Sequence, residues 1–250
     1  MSWFFTDSIN GGIHRITGED ARHIVKSLRM ARGEELTLCD RQGVEHRCVI
    51  KDINPDSVDV QVLENFPCQN EPSVKITLYQ ALPKGDKMDL IVQKAVELGV
   101  YRIVPVISSR CVSRPDEKSL LKKVQRWQKI ASQAAQQSHR GVIPEVLGAL
   151  SFKEAVTDAK TSGRSVIFYE CGGQPVREIV REQAETLAVF IGSEGGFAAS
   201  EVQQVLDAGG CAATLGKRIL RAETAPLAAL SVLMSVSYTH LRAHETRRHL

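Results

Sequence analysis

FIGSEGGF (residues 190–197) and LGKRILRAETAPLAAL (residues 215–230) are the stretches on which the fold turns. In each, an apolar run of the kind that fills a buried strand stops at glycine, and a helix start follows. A third run, FYECGG (168–173), ends in the same way. In open parallel sheets, ligands bind beyond the carboxyl ends of the strands, where loops converge on a crevice. Glycine there lets a flat ligand approach the peptide groups. A single glycine of this kind is ordinarily only a tight turn, but three strand ends of one design favour a ligand crevice.

Outward from these junctions the pattern alternates. VKITLYQ (74–80) reads as a strand, and DKMDLIVQKAVELG (86–99) as a helix, apolar at Met88, Ile91, Val92, Ala95 and Val96 and stopped at Gly99. RIVPVI (102–107) is the next strand, and a long helix over about 116–139 carries a stripe of Leu120, Val124, Trp127, Ala131 and Ala134. SVIFYE, a helix with Pro175 early in it, LAVFI, a helix opened by Ser200 and Gln203, CAATL and a final helix complete the series. Such alternation implies a mainly parallel sheet covered on both faces.

Residues 33–66 differ. EELTLCD, EHRCVIK and SVDVQVL are short β-rich runs with turn signals between them, the signature of a small barrel. A helix opened by Thr17 and Asp20, with Ile24, Val25 and Leu28 on one face, precedes them. ENFPCQNEPS (64–73) reads as a linker, which puts a domain boundary near Glu71. The fold class is α/β, with a β-barrel domain over 1–71 and a larger domain over 72–236. Residues 237–250, SYTHLRAHETRRHL, interrupt the apolar pattern of the last helix and read as a non-native tail.

Composition narrows the function. No apolar run approaches the roughly 20 residues that cross a bilayer, and MSWFFTDSING lacks a secretory pattern, so a cytoplasmic location and no membrane partner are expected. Six cysteines are scattered without a C-x-x-C pair, which predicts core positions and no metal site. The net charge of +3 leans on a tail with three arginines and one glutamate, so global charge gives no argument for nucleic acid. Local patterning does. Arg22, Lys26 and Arg29, extended by Arg32, share one side of the first helix, and Lys118, Lys122, Arg126 and Lys129 share one side of the long helix. Each stripe is either a solvated face or a grip on phosphates.

The crevice ligand is not a phosphate compound of the common kinds. G-x-G-x-x-G is missing, since 192–196 reads GSEGG. A Walker loop fails because five residues separate Gly210 from Gly216 and Arg218 stands where Ser or Thr belongs. A ligand with an adenine and no phosphate, held by backbone amides and carbonyls, fits better.

With these residues in hand, KGDKMDLIVQKAVELGV (84–100), IVPVISSRC (103–111), RWQKIASQAAQQS (126–138), FIGSEGGF and LGKRILRAETAPLAAL together resemble, in order and spacing, the bacterial ribosomal RNA small subunit methyltransferase E family. The resemblance covers about residues 3–235. It implies a PUA-like RNA-binding barrel followed by a SPOUT domain whose C-terminal segment forms a trefoil knot around S-adenosyl-L-methionine. It also implies methylation of uridine N3 in 16S rRNA, a homodimer, and rRNA or the small ribosomal subunit as partner. The chain departs from the family pattern at Ser193, where proline is usual, and at Ser2-Trp3, where an arginine commonly precedes the aromatic residues.

By that resemblance Ile191, Gly192, Glu194, Gly195, Gly196, Leu215, Gly216, Ile219, Leu220 and Thr224 surround the cofactor, although core packing explains Leu215 and Ile219 equally well. Arg221 is the candidate cation for the uracil oxygens, with Glu223 as its catalytic partner or a first-turn helix cap. Thr224 could orient Arg221 or the substrate, and Glu194 is either a base or a ligand to the methionine ammonium. Arg22, Lys26, Arg29, Arg32, Lys122 and Arg126 are the RNA-binding candidates. The alternative to an enzyme is a non-catalytic RNA-binding protein with a degenerate SPOUT domain. A nucleotide hydrolase is disfavoured by the broken Walker spacing.

Overall fold

The computed structural model describes residues 2–7, 9, 12–181 and 184–247. The chain forms two compact units, Met1–Glu71 with Ala135–Ile143, and Pro72–Ala134 with Pro144–Leu250.

The first unit holds β1 (Ser2–Phe5), β2 (Ile13–Thr17), α1 (Gly18–Arg22), β3 (Glu35–Cys39), β4 (Val44–Asn54) and β5 (Ser57–Pro67). They form one sheet in the order β1-β3-β4-β5-β2. Pairing is parallel between β1 and β3 and antiparallel elsewhere, with irregularities at Arg47/Cys48 and Ile50/Asp52 that bend the long β4–β5 ribbon. The result is a PUA-like half-barrel of five strands rather than the three that the sequence displays. Alternation explains its single apolar face: Cys48, Ile50, Val58 and Val60 are fully buried and pack with Phe4, Ile24, Leu36 and Leu38. The predicted helix is shorter and changes pitch. Thr17 makes no side-chain cap bond, α1 passes into a π-helical turn at His23–Ser27, and Arg29 adopts a left-handed φ of 52°. Leu28 is consequently 41% exposed, off the face assigned to it.

The second unit contains β6 (Lys75–Ala81), α2 (Lys87–Glu97), β7 (Arg102–Ile107), α3 (Glu117–Gln137), β8 (Glu145–Val146) and β9 (Leu150–Ser151). It continues with α4 (Phe152–Ala159), β10 (Arg164–Phe168), β11 (Gln174–Pro175), α5 (Val176–Arg181), β12 (Thr186–Ile191), α6 (Ala199–Asp207), β13 (Cys211–Thr214) and α7 (Thr224–Arg247). Its sheet runs β11-β13-β10-β12-β6-β7-β8, with β9 also on β7, and every pairing is parallel. Central strands are apolar on both faces because both are covered: Ile76, Leu78, Tyr79, Ala188, Val189 and Phe190 are all fully buried.

Helix α4, absent from the sequence reading, buries Phe152, Ala155, Val156 and Ala159 at helical spacing, and a capping box marks its start. Glu154 accepts from Ser151 N at 2.8 Å while Ser151 Oγ accepts from Glu154 N at 3.3 Å. Helix α6 begins at Ala199, and Glu201, not the Ser200 and Gln203 pair, binds the Ala198 amide at 2.9 Å. The backbone of α7 continues to Arg247 instead of breaking at Ser237, while 248–250 lie outside the described residues. Cysteines 39, 48 and 111 are buried as expected of core positions, but Cys171 is exposed. Among the described residues no helix is long and apolar enough to cross a membrane.

Candidate active site

Beyond the carboxyl ends of β10, β12 and β13 lies a cleft of about 550 Å³ within the second unit. Its first wall is the loop after β12. Phe190 and Phe197 bracket that loop, and both are fully buried. Phe190 stacks on Tyr79 with ring centroids 4.6 Å apart, and Phe152 of α4 meets Phe190 at 5.9 Å and Phe197 at 5.4 Å. Burying such rings contributes about 1.5–3 kcal/mol each, enough to fix where the loop leaves and re-enters the core.

Between the rings the turn is closed by Gly196 N donating to Ser193 O at 3.0 Å. Arg110 Nη1 donates to Gly195 O at 3.0 Å, and Gln80 Nε2 to Gly192 O at 3.3 Å. Glycine is required here by space. A Cβ on Gly192 would lie 2.9 Å from Gly196 Cα, and one on Gly195 would lie 3.0 Å from Arg110 Cβ. Gly196 also has φ +63°, in the left-handed region.

The second wall, Thr214–Ala222, is looser. Thr214 Oγ1 accepts from Gly216 N at 3.2 Å. Lys217, Arg218, Ile219 and Arg221 are exposed, Ile219 to 86%. Thr224 N and Ala225 N both donate to Arg221 O at 2.9 Å, which starts α7.

A charged trio joins the walls. Lys87, the first residue of α2, places Nζ 2.8 Å from Glu194 Oε1 and 3.2 Å from Glu223 Oε2. The Lys84 amide also donates to both Glu194 oxygens at 3.2 Å. Burial pushes Glu194 up, but the bonds from Lys87, its own amide and the Lys84 amide together hold its carboxyl below the usual range. Glu223 is lowered chiefly by its own backbone amide, against some burial, and then by Lys87 and Arg221. Lys87 is raised by hydrogen bonding to Glu194 and then Glu223. Ion pairs this open to solvent add little to stability, so the trio sets loop geometry more than it stabilises the fold. Lys87 was missed in the sequence because it lies more than 100 residues from Glu194. Its position at a helix start beside a strand end was the available signal.

The cleft gathers Ile191, Gly192, Glu194, Gly195, Gly196, Leu215, Gly216, Ile219, Leu220 and Arg221 from the predicted set, together with Phe168, Tyr169, Glu170 and Arg218. Glu223 reaches the rim through Lys87, and Thr224 starts α7 behind it, outside the lining. The RNA-binding candidates divide. Arg22, Lys26, Arg29 and Arg32 are exposed in the first unit, but only Arg22 and Lys26 lie in helical turns. On α3, Lys122 is exposed whereas Arg126 is engaged by Asp89, which also accepts from Trp127 Nε1 at 3.1 Å. Among the described residues no cluster of three or more His, Cys, Asp or Glu side chains is placed to hold a metal ion.

Residues 69–234 match the RNA methyltransferase domain family, and residues 16–63 match the RNA methyltransferase PUA domain family. The ribosomal RNA small subunit methyltransferase E of Bacillus subtilis is 36% identical over 225 residues, covering 87% of this chain and 88% of that protein. The same-named protein of Neisseria gonorrhoeae, solved bound to S-adenosyl methionine, has a TM-score of 0.85 and 33% identity, covering 94% of this chain and 98% of that one. A putative methyltransferase of Legionella pneumophila, solved with the same cofactor, has a TM-score of 0.83 and 32% identity over 93% of this chain and 96% of its own. The fold, the cleft at the strand ends and these likenesses agree, and the chain belongs to the ribosomal RNA small subunit methyltransferase E family.

Proposed function

We propose that this chain transfers the methyl group of S-adenosylmethionine to N3 of a uridine in the 16S rRNA of the small ribosomal subunit. The observation that carries the reading is the cleft itself. Its glycine wall has no room for side chains, Ile191, Leu215, Leu220 and Phe168 supply apolar surface, and Glu194 supplies a carboxylate for an ammonium group. Ser193 Oγ, buried in the same wall, has no hydrogen-bond partner among the described residues. That donor set suits an uncharged purine nucleoside joined to an amino acid, and relatives solved with the cofactor share the fold.

When bound, S-adenosylmethionine supplies a methyl group already activated on a sulfonium. The protein's task is to orient it. Ile191, Gly192, Gly195, Gly196, Leu215, Gly216, Ile219 and Leu220 hold the nucleoside, with Glu194 toward its amino-acid end. N3 would give up its imide proton to solvent water at the open cleft and take the methyl group from the bound cofactor, which leaves as the neutral thioether once the bond to N3 has formed. Arg221 would face the carbonyl oxygens that share the resulting negative charge, and Glu223, held by Lys87 and near Arg221, together with Thr224 would orient it or the substrate.

The domain assignment follows the same reading: 1–71 binds RNA, 72–236 carries the methyltransferase site, and its C-terminal segment threads a knot. The chain acts in the cytoplasm as a homodimer, whose second copy completes the open wall of the cleft. Arg22, Lys26, Arg29, Arg32 and Lys122 contact RNA phosphates. Calorimetry separates this from a non-catalytic RNA-binding protein: S-adenosylmethionine binds and ATP does not. Absence of any heat with S-adenosylmethionine would overturn the enzymatic reading.

A further inference from the structure

Five arginines of the described surface are matched with carboxylates, Arg15 with Asp59, Arg41 with Asp7, Arg47 with Glu64, Arg102 with Asp158 and Arg126 with Asp89, and so is the buried Arg140, with Glu71. The loop that leaves β7 is built differently. Arg110 donates to Gly195 O at 3.0 Å. Arg114 donates Nη2 to Ser109 O at 3.1 Å and Nε to Cys111 O at 3.4 Å. Both side chains are exposed, and neither has a carboxylate within ion-pair distance among the described residues.

Carbonyl oxygens orient a guanidinium without cancelling its charge, so two cations stand aimed with no ion-pair partner within 4.0 Å among the described residues. Their loop is itself fixed. Ser108 and Cys111 are buried, and Ser109 N donates at 2.7 Å to Glu201, a carboxylate only 4% exposed that also binds the Ala198 amide just beyond the glycine wall. Arg110 thereby braces the cleft from outside its lining, through the carbonyl of Gly195. On the opposite wall Arg218 and Arg221 are exposed and form no ion pair within 4.0 Å among the described residues, although Arg221 is near enough to Glu223 to help lower its carboxyl.

A nucleotide whose base enters such a cleft carries a phosphate on each side of that base, at the rim. A guanidinium with unused N–H groups matches phosphate oxygens in shape and charge. We propose that Arg110 and Arg114 form a phosphate grip on the methyltransferase unit for the RNA strand flanking the target nucleotide. The inference rests on the RNA-methylation reading above. It adds a contact to the RNA-binding candidates between Arg22 and Arg32 and on α3, and it positions the strand without reading its sequence.

The test is a salt series from 50 to 200 mM KCl on the binding of in vitro transcribed 16S rRNA, with Arg114→Gln and Arg110→Gln/Arg114→Gln compared with the parent chain. Each lost phosphate contact is expected to flatten the plot of log K against log salt by about 0.7, with affinity at 100 mM falling about tenfold in the double variant. Arg114→Lys, which keeps the charge, is expected to retain the parent slope. Arg114→Gln is expected to bind S-adenosylmethionine within about twofold of the parent. An unchanged slope in variants with the parent's circular dichroism overturns the proposal, and so does a loss confined to cofactor affinity. Failure of the parent chain to bind S-adenosylmethionine is a separate result: it removes the methyl-transfer reading and leaves the salt slope to judge the grip.

Discussion

The two walls of the cleft are built by opposite means. The loop 192–196 is pinned by buried rings at both ends and braced by Gln80, Arg110 and Lys87. The stretch 216–221 has a single threonine turn at its start and an isoleucine 86% exposed near its middle. The first wall is organised before any ligand arrives and loses little freedom on binding. The second, exposed and held by few contacts among the described residues, has more freedom to lose on binding. Affinity for the donor should therefore reside mainly in the first wall, and coupling to the acceptor in the second.

Substitutions can break that contrast. The largest effect is expected from Gly192→Val, whose side chain would press on the Gly196 backbone. Overpacking of about 1–3 kcal/mol amounts to a loss of donor affinity of up to about 100-fold, read by calorimetry with the unfolding transition retained. In the second wall, Arg221→Ala should lower turnover about 100-fold while donor affinity changes far less. Equal loss of both would move Arg221 into the donor pocket.

Lys87→Met tests the link between the walls. It should weaken donor binding about fivefold, in keeping with two partly exposed ion pairs. It should also change the acid limb of thermal stability. Glu194 and Glu223 are held below the ordinary glutamate value of 4.5, so the stability they contribute is complete above that value and is lost as pH falls through their lowered values. Without Lys87 both carboxyls are less depressed, so the acid loss should be smaller and finish at higher pH in a series of melts from pH 3 to 7. The smallest effect is expected from Ile219→Ser. The unfolding midpoint should stay put, because so exposed a side chain contributes within about 0.5 kcal/mol. Donor affinity should fall about two- to threefold, and an unchanged affinity would assign Ile219 to a subunit interface instead.

The parts of the molecule legible in the sequence are those governed by local rules. Strand ends at Ile191 and Thr214 followed from apolar runs meeting glycine, and Gly99 correctly closed α2. Strands β1 and β2 escaped notice because they are short pieces that become strands only by pairing with β3 and β5. The first helix was overextended because a 3.6-residue period cannot announce a π-helical turn. Within the site, the glycines and the apolar wall were legible as motifs. Lys87 and Arg110 were not, since their roles exist only once α2 and the loop after β7 come beside a loop far along the chain.

The buried Glu201 carboxylate has a thermodynamic consequence. It ties the amide of Ser109, in the arginine loop, to that of Ala198, at the exit of the glycine loop. Two ligands seated on either side of one shared anchor do not bind independently. To the extent that the donor tightens this anchor, RNA must bind more firmly to the loaded protein than to the empty one. Linkage requires the converse factor to be identical, so bound RNA would then raise the affinity for the donor in the same proportion.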